Sequence, residues 1–191
     1  MVAGAARLLA ERGLQATSFS EILERTSSPR GSVYHHFPEG KNQLVKAALG
    51  LVTAQMGRVF SPSAGASPED VTELFLQVWR VVLQRSRFTA GCAVVAVTVA
   101  ADSPELMAHV GVIFGAWRRR LADLLEQGGL APKDAAKFGA TLIAASEGAV
   151  ILSRAEQSME PFELVAAQLL EQARALPRVS PRRSRPRKAR S

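Results

Sequence analysis

Apolar residues recur along this chain at helical spacing, in runs separated by Gly, Pro and Ser/Thr clusters. Val2, Ala5, Ala6, Leu8 and Leu9 share one face of a first run, and Gly13 supplies its stop. Thr17 or Ser18 can cap a second, in which Glu21 completes a capping box and Phe19, Ile22 and Leu23 face inward. Thr26, Ser27 and Ser28 interrupt it, and Pro29 stands at the first position of a third short helix through about His36. Pro38-Glu39-Gly40 breaks the chain again. A long amphipathic run from Lys41 to about Phe60 then uses Leu44, Ala47, Ala48, Leu51 and Val52 as its inner face.

The stretch from Ser61 to Ser67 reads as a loop, and Ser67-Pro68-Glu69 opens a helix through Leu74, Phe75, Val78, Trp79 and Val82. Gly91 to Ala101 is rich in β-branched residues, but nothing else in the chain offers a partner strand, so it is assigned to a buried helix. Ser103-Pro104-Glu105 starts a further helix that Gly128-Gly129 ends. Pro132 starts a long apolar one to about Ser153, and a last helix follows Pro161 through Phe162, Val165, Leu169 and Leu170. The expectation is an all-α protein of about nine helices.

With 191 residues and 47% apolar content, a sizeable core is available. The longest uninterrupted apolar stretch, about Ala93 to Ala101, is far short of the roughly 20 residues that cross a bilayer, so no membrane partner is expected. Met1 leads straight into a helical pattern without the features of a secretory signal, and the single cysteine, Cys92, offers no disulfide framework; both point to the cytoplasm. The net charge of +7 is unevenly placed. Seven basic side chains lie in residues 178–191, which contain no acid, so residues 1–177 carry 17 basic and 17 acidic groups. That Arg-, Pro- and Ser-rich tail is too poor in apolar residues to offset ordering entropy and is expected to be disordered, either as a solvated appendage or as a loose tether to phosphates.

Two short helices separated by a three-to-four-residue turn match the helix-turn-helix unit, whose second helix enters the major groove. The more specific signal is Pro29-Arg30-Gly31-Ser32-Val33-Tyr34-His35-His36-Phe37, followed by Pro38-Glu39-Gly40-Lys41. With Ala5 to Ser18 upstream, about 50 residues resemble the DNA-binding domain of TetR/AcrR-type regulators. The Gly91-Cys92-Ala93-Val94 turn and the Phe37 to Lys41 junction are similar to the branch containing the lincomycin-resistance repressors. Family members usually carry further, often basic, residues before the first helix, whereas here Met1 already stands inside it.

The chemistry agrees with the resemblance. Arg30 can donate two hydrogen bonds to guanine O6 and N7. Ser32 and His35 share its side and can reach base edges or phosphates, while Val33 and Phe37 pack inward and Gly31 permits close backbone approach. Tyr34, Lys41, Ser18 and Ser28 suit phosphate oxygens. His36 reads as a packing or backbone-bonded residue. The resemblance implies a three-helix DNA-binding domain over 1–45, a helical ligand-binding and dimerisation domain over 46–177, and the tail 178–191. It further implies a homodimer on a near-palindromic double-stranded operator, released by a small hydrophobic effector. The small and apolar run from Ala140 to Leu152 leaves a face for dimerisation. Phe75, Trp79, Cys92, Met107, Phe114, Trp117 and Phe138 are the candidate ligand-pocket residues, with Glu147 a further polar candidate.

No paired nucleophile and base, metal-ligand cluster or phosphate loop is visible, so no catalytic residue, metal or cofactor is assigned. A ligand-independent activator or architectural DNA-binding protein and a helical enzyme remain the competing classes. If the tail neutralises phosphates, deleting residues 178–191 lowers the slope of log affinity against log salt, by about 0.9 for each phosphate that the tail had neutralised. An unchanged slope in a DNA-binding titration assigns the tail no such role.

Overall fold

The computed structural model describes residues 1–27, 31, 35–59, 61 and 65–178. The expected third helix lies mostly outside the described residues, although Gly31, His35 and His36 are helical. Arg30, Ser28, Ser32 and Tyr34 are outside them, as are Phe60 and the tail beyond Arg178. Eight helices are complete among the described residues: α1 (Val2–Arg12), α2 (Phe19–Thr26), α3 (Lys41–Val59), α4 (Pro68–Ser86), α5 (Ala93–Ala100), α6 (Pro104–Gln127), α7 (Pro132–Glu156) and α8 (Glu160–Ala175).

Local chemistry accounts for the helix boundaries. Ser18 caps α2 by accepting from the Glu21 amide, but the Glu21 carboxylate pairs with Arg12 instead of closing the expected box. Ser67 and Asp70 form a complete capping box at α4, with Pro68 in its first turn. Ser103 caps α6 in the same sense, and Cys92 caps α5 through a longer contact to its sulfur. Gly13, at φ 78°, closes α1 in the left-handed region that favours glycine.

Within the Gly91 to Ala101 segment, Ala93–Ala100 form the expected helix, since hydrogen bonding within a helix satisfies an apolar segment that has no strand to pair with. The inner face of α3 is turned from the one expected. Leu44, Val45, Ala48 and Leu49 are fully buried, whereas Ala47, Leu51 and Val52 are half-buried. The cause is tertiary: α3 packs against α1 on one side and against α5 and α6 on another.

An N-terminal helix-turn-helix domain and a C-terminal helical domain share one continuous hydrophobic core. In the C-terminal domain, α6, α7 and α8 pack in sequence, and α4 lies across all three. Gly128 allows the end of α6 to reach the Ala66–Pro68 loop, because a Cβ there would lie 2.7 Å from the Ala66 carbonyl oxygen. By length and mean hydropathy (1.4), α7 could cross a membrane, yet 44% of that window is buried among its neighbours, as in a core helix. One end of α7 touches the N-terminal domain through Arg154. At the other, roughly 37 Å away at 1.5 Å per residue, Leu130 pairs with Arg178.

Phe138 and Phe162 are among the largest fully buried side chains, one on α7 and one on α8. Phe138→Ala is expected to cost about 3–5 kcal/mol of stability, read from urea unfolding, because the surrounding helices cannot close the cavity.

Candidate nucleic-acid interface and regulatory cavities

Lys41 begins α3, and its ammonium donates to the Leu14 carbonyl at 2.8 Å, tying α3 to the end of α1. Ser18 is half-buried at the start of α2, with its hydroxyl shared between the Glu21 amide and Ser20. Gly31 and His35 are exposed, and nothing lies within 4 Å of a Cβ built on Gly31. His36 is exposed too, its ring meeting that of His35 edge-on at 5.4 Å, so of the two expectations, packing or a backbone bond, packing is not met. Phe37 is buried as expected. The basic residues of α1 and α2 are internally paired: Arg7 and Arg25 with Glu11, and Arg12 with Glu21.

These two pairs hold the Glu11 carboxyl below its usual range, the hydrogen bond from Arg7 contributing most. Uncommitted positive charge for DNA therefore has to come from other residues of the domain.

The N-terminal domain docks on the turn before α5. The Gly91 amide donates to the Ala10 carbonyl at 2.8 Å, and Arg154 of α7 donates to the carbonyls of Glu11 (3.2 Å) and Thr89 (3.0 Å). Arg87 and Phe88, at φ 50° and 61°, occupy the left-handed region in succession, a backbone cost borne where this turn meets α1. A side chain at Gly91 would strike the Arg154 guanidinium at 2.9 Å. Lys46 pairs with Glu105, and Asn42 and Gln15 reach Ser103 and Ala100, so the start of α3 and the loop after α1 are bonded to the C-terminal domain.

Three cavities lie near this junction. One of about 280 Å³ is walled by Ala3 and Ala6 of α1, Leu51, Val52, Gln55 and Met56 of α3, and Trp79, Cys92 and Trp117. Its neighbour of about 170 Å³ shares Met56 and Trp117 and adds Phe75. Phe114 stacks edge-on against Trp117 at 5.6 Å. The third, about 390 Å³, lies between α1, α5 and α7 and is lined by Cys92, Glu147 and Arg154; Ala10, Gly91 and Cys92 line both it and the first. The structure thus places Phe75, Trp79, Cys92 and Trp117 on the walls of these cavities, with Phe114 packed against Trp117.

Three expected pocket residues, Met107, Phe114 and Phe138, do not line any of these cavities, although Phe114 meets a lining residue, Trp117. Met107, on the first turns of α6, is 42% exposed, and Phe138 is packed into the core. Their residue type alone could not distinguish surface or core from cavity wall. Conversely, the α1 and α3 residues that close the first cavity had no signal in the sequence, since small residues such as Ala3 and Ala6 read only as a helix face.

Residues 68–168 match the family described as "Transcriptional regulator LmrA/YxaF-like, C-terminal domain", and residues 1–48 match "Bacterial regulatory proteins, tetR family". The chain belongs to the TetR family of transcriptional regulators. This TetR-family chain is 30% identical over 176 residues to the HTH-type transcriptional regulator Rv0196 of Mycobacterium tuberculosis, covering 88% of itself and 90% of that relative. It is 23% identical to the HTH-type transcriptional regulator LmrA of Bacillus subtilis, over 85% of this chain and 88% of that one. Its fold is similar to that of regulatory protein TetR from Rhodobacter sphaeroides, with a TM-score of 0.80 at 21% identity, over 89% and 95% of the two chains. The branch expected from the Gly91 to Val94 turn and the Phe37 to Lys41 junction is the one found. Family and fold are those of transcription regulators, not enzymes.

Within this regulator, Cys92 and Glu147 form a buried pair. Burial, and then the neighbouring Glu147, hold the Cys92 thiol well above its ordinary value, so it is an un-ionised donor. Burial pushes the Glu147 carboxyl up to about 7, opposed only by its hydrogen bond from Cys92. Between its unfolded value near 4.5 and about 7, the folded chain keeps a proton that the unfolded chain loses. Stability from this group is therefore greatest below the unfolded value, falls as pH rises, and levels off above about 7. Between pH 5 and pH 8 the wild type is expected to lose about 2–3 kcal/mol more than Glu147→Gln, as read by urea unfolding at the two pH values.

Proposed function

We propose that the chain is a homodimeric repressor that binds a near-palindromic operator in the cytoplasm and is released by a small hydrophobic ligand. The observation that carries this reading is the 280 Å³ cavity, whose walls come from α1 and α3 on one side and from α4, α6 and the turn before α5 on the other. A ligand held there touches the DNA-binding helices and the regulatory helices at once. Binding that favours a changed angle between them weakens DNA affinity by the same factor that DNA weakens ligand affinity.

On the DNA side, Arg30 reads guanine in the major groove, with Gly31 allowing close approach and Ser32 and His35 beside it. Ser18, Ser28, Tyr34 and Lys41 position the domain on phosphates; Lys41 spends one donor on Leu14 and keeps two. Residues 1–45 act as the DNA-binding domain and 46–177 as the regulatory one.

On the ligand side, Trp79 is 4% exposed, and its indole N–H has no partner among the described residues, so it is available to a ligand acceptor. Trp117 completes the aromatic wall there, with Phe114 packed behind it, and Phe75 lines the neighbouring cavity. For the dimer, α7 exposes Thr141, Ala144, Gly148, Leu152 and Ala155, and α8 exposes Leu164 and Ala167. An apolar stripe on two adjacent helices suits a two-fold four-helix contact, which sets the recognition helices about 34 Å apart.

Selection of duplexes from a random pool, by wild type and by Arg30→Ala at one salt concentration, tests the reading. The expected outcome is a palindromic consensus whose half-site guanine loses its preference in the variant, at about 1–3 kcal/mol. Salt-sensitive binding with no enriched sequence would overturn it.

A further inference from the structure

Glu147 is only 9% exposed, yet it caps no helix and has no ion-pair partner among the described residues; the Cys92 thiol is its hydrogen-bonding neighbour. A buried carboxylate without a counter-charge is costly and is ordinarily neutralised or replaced. This one faces the 390 Å³ cavity between α1, α5 and α7. Of the other charges around that cavity, Glu11 pairs with Arg7 and Arg25 and Arg12 with Glu21, while Arg154 donates to the carbonyls of Glu11 and Thr89, leaves its Nε without a partner and forms no ion pair with Glu147 among the described residues. Apart from Gln15, whose side-chain amide donates to the Ala100 carbonyl, the remaining side chains of the wall are apolar. Val99 and Ile151 there are 80% and 54% exposed, leaving hydrocarbon surface open beside the acid.

We infer that this cavity binds a small apolar amine, its ammonium paired with the Glu147 carboxylate and its hydrocarbon body against Val95, Val99 and Ile151. The site is separate from the Trp79 cavity, with the Gly91–Cys92 turn between the two. An ammonium supplies the missing counter-charge, and Cys92 remains a donor to the second carboxylate oxygen. Because Gly91 and Ala10 line this cavity too, an occupant sits against the hydrogen bond that joins the two domains.

The test is calorimetric titration of the full chain at pH 8 with 2-naphthylmethylamine and with its uncharged isostere, 2-naphthalenemethanol. The wild type is expected to bind the amine at least about tenfold more tightly than the alcohol, in line with a charge-assisted hydrogen bond of about 1.5–3 kcal/mol. Glu147→Gln is expected to abolish that preference while leaving alcohol binding intact, and Trp79→Phe to preserve it. Ala96→Phe, which fills the cavity from the opposite wall and leaves the acid in place, is expected to abolish amine binding, and it serves if Glu147→Gln fails to fold. Equal binding of the two probes by wild type, a preference that survives Glu147→Gln or Ala96→Phe, or one lost in Trp79→Phe would each overturn the proposal. The readout contains no DNA, so its failure is distinct from failure of the repressor reading.

Discussion

The architecture depends on the docking of α1 onto the turn that precedes α5. One backbone hydrogen bond, Gly91 to Ala10, and one side chain, Arg154, hold the contact. Neither is strong alone, since a hydrogen bond contributes about 1 kcal/mol net. Their effect comes from being placed within a shared apolar core, where Leu8 and Leu9 of α1 are fully buried and α1 packs on α5 as well as on α3. Breaking the polar contacts means exposing that hydrocarbon, so the two domains move together or separate at a real cost.

This constraint explains why the cavities lie where they do. Packed helices leave gaps where small residues meet large ones, and α1 presents Ala3, Ala6 and Ala10 toward Trp79, Trp117 and the Gly91–Cys92 turn. The aromatic side chains span the gap without filling it. On the other side of the turn, the wall is formed by α5 and α7, whose β-branched and small residues likewise leave space. The backbone at Arg87 and Phe88, held in the left-handed region, fixes the path of the chain into this junction.

Charge is handled differently in the two halves of the molecule. In the N-terminal domain Glu11 and Glu21 consume the arginines of α1 and α2, which orders these short helices but leaves little free positive charge on them. In the C-terminal domain Arg80 is held by Glu163 and Glu73, tying α4 to α8, while Glu147 is left inside without a base. Arg178, beside Leu130, stands at the end of α7 remote from α1.

Periodicity and punctuation alone determined the helices, because capping groups and Gly or Pro stops act over three or four residues: Ser18, Ser67, Ser103 and Gly13 stand at the ends expected of them. The segment from Pro29 to Lys41 also carried the family, since its side-chain pattern is specific within a single stretch. Which face of α3 turns inward, which aromatic residues line a cavity and which fill the core, and the isolation of Glu147 were decided only by tertiary packing. Each depends on neighbours from distant elements: α5 and α6 for α3, Leu14 for Lys41, and Cys92 for Glu147, 55 positions apart in the chain. Hydrophobic burial is non-directional, so a sequence states that Phe138 and Trp117 will be buried but not which of them borders an empty space.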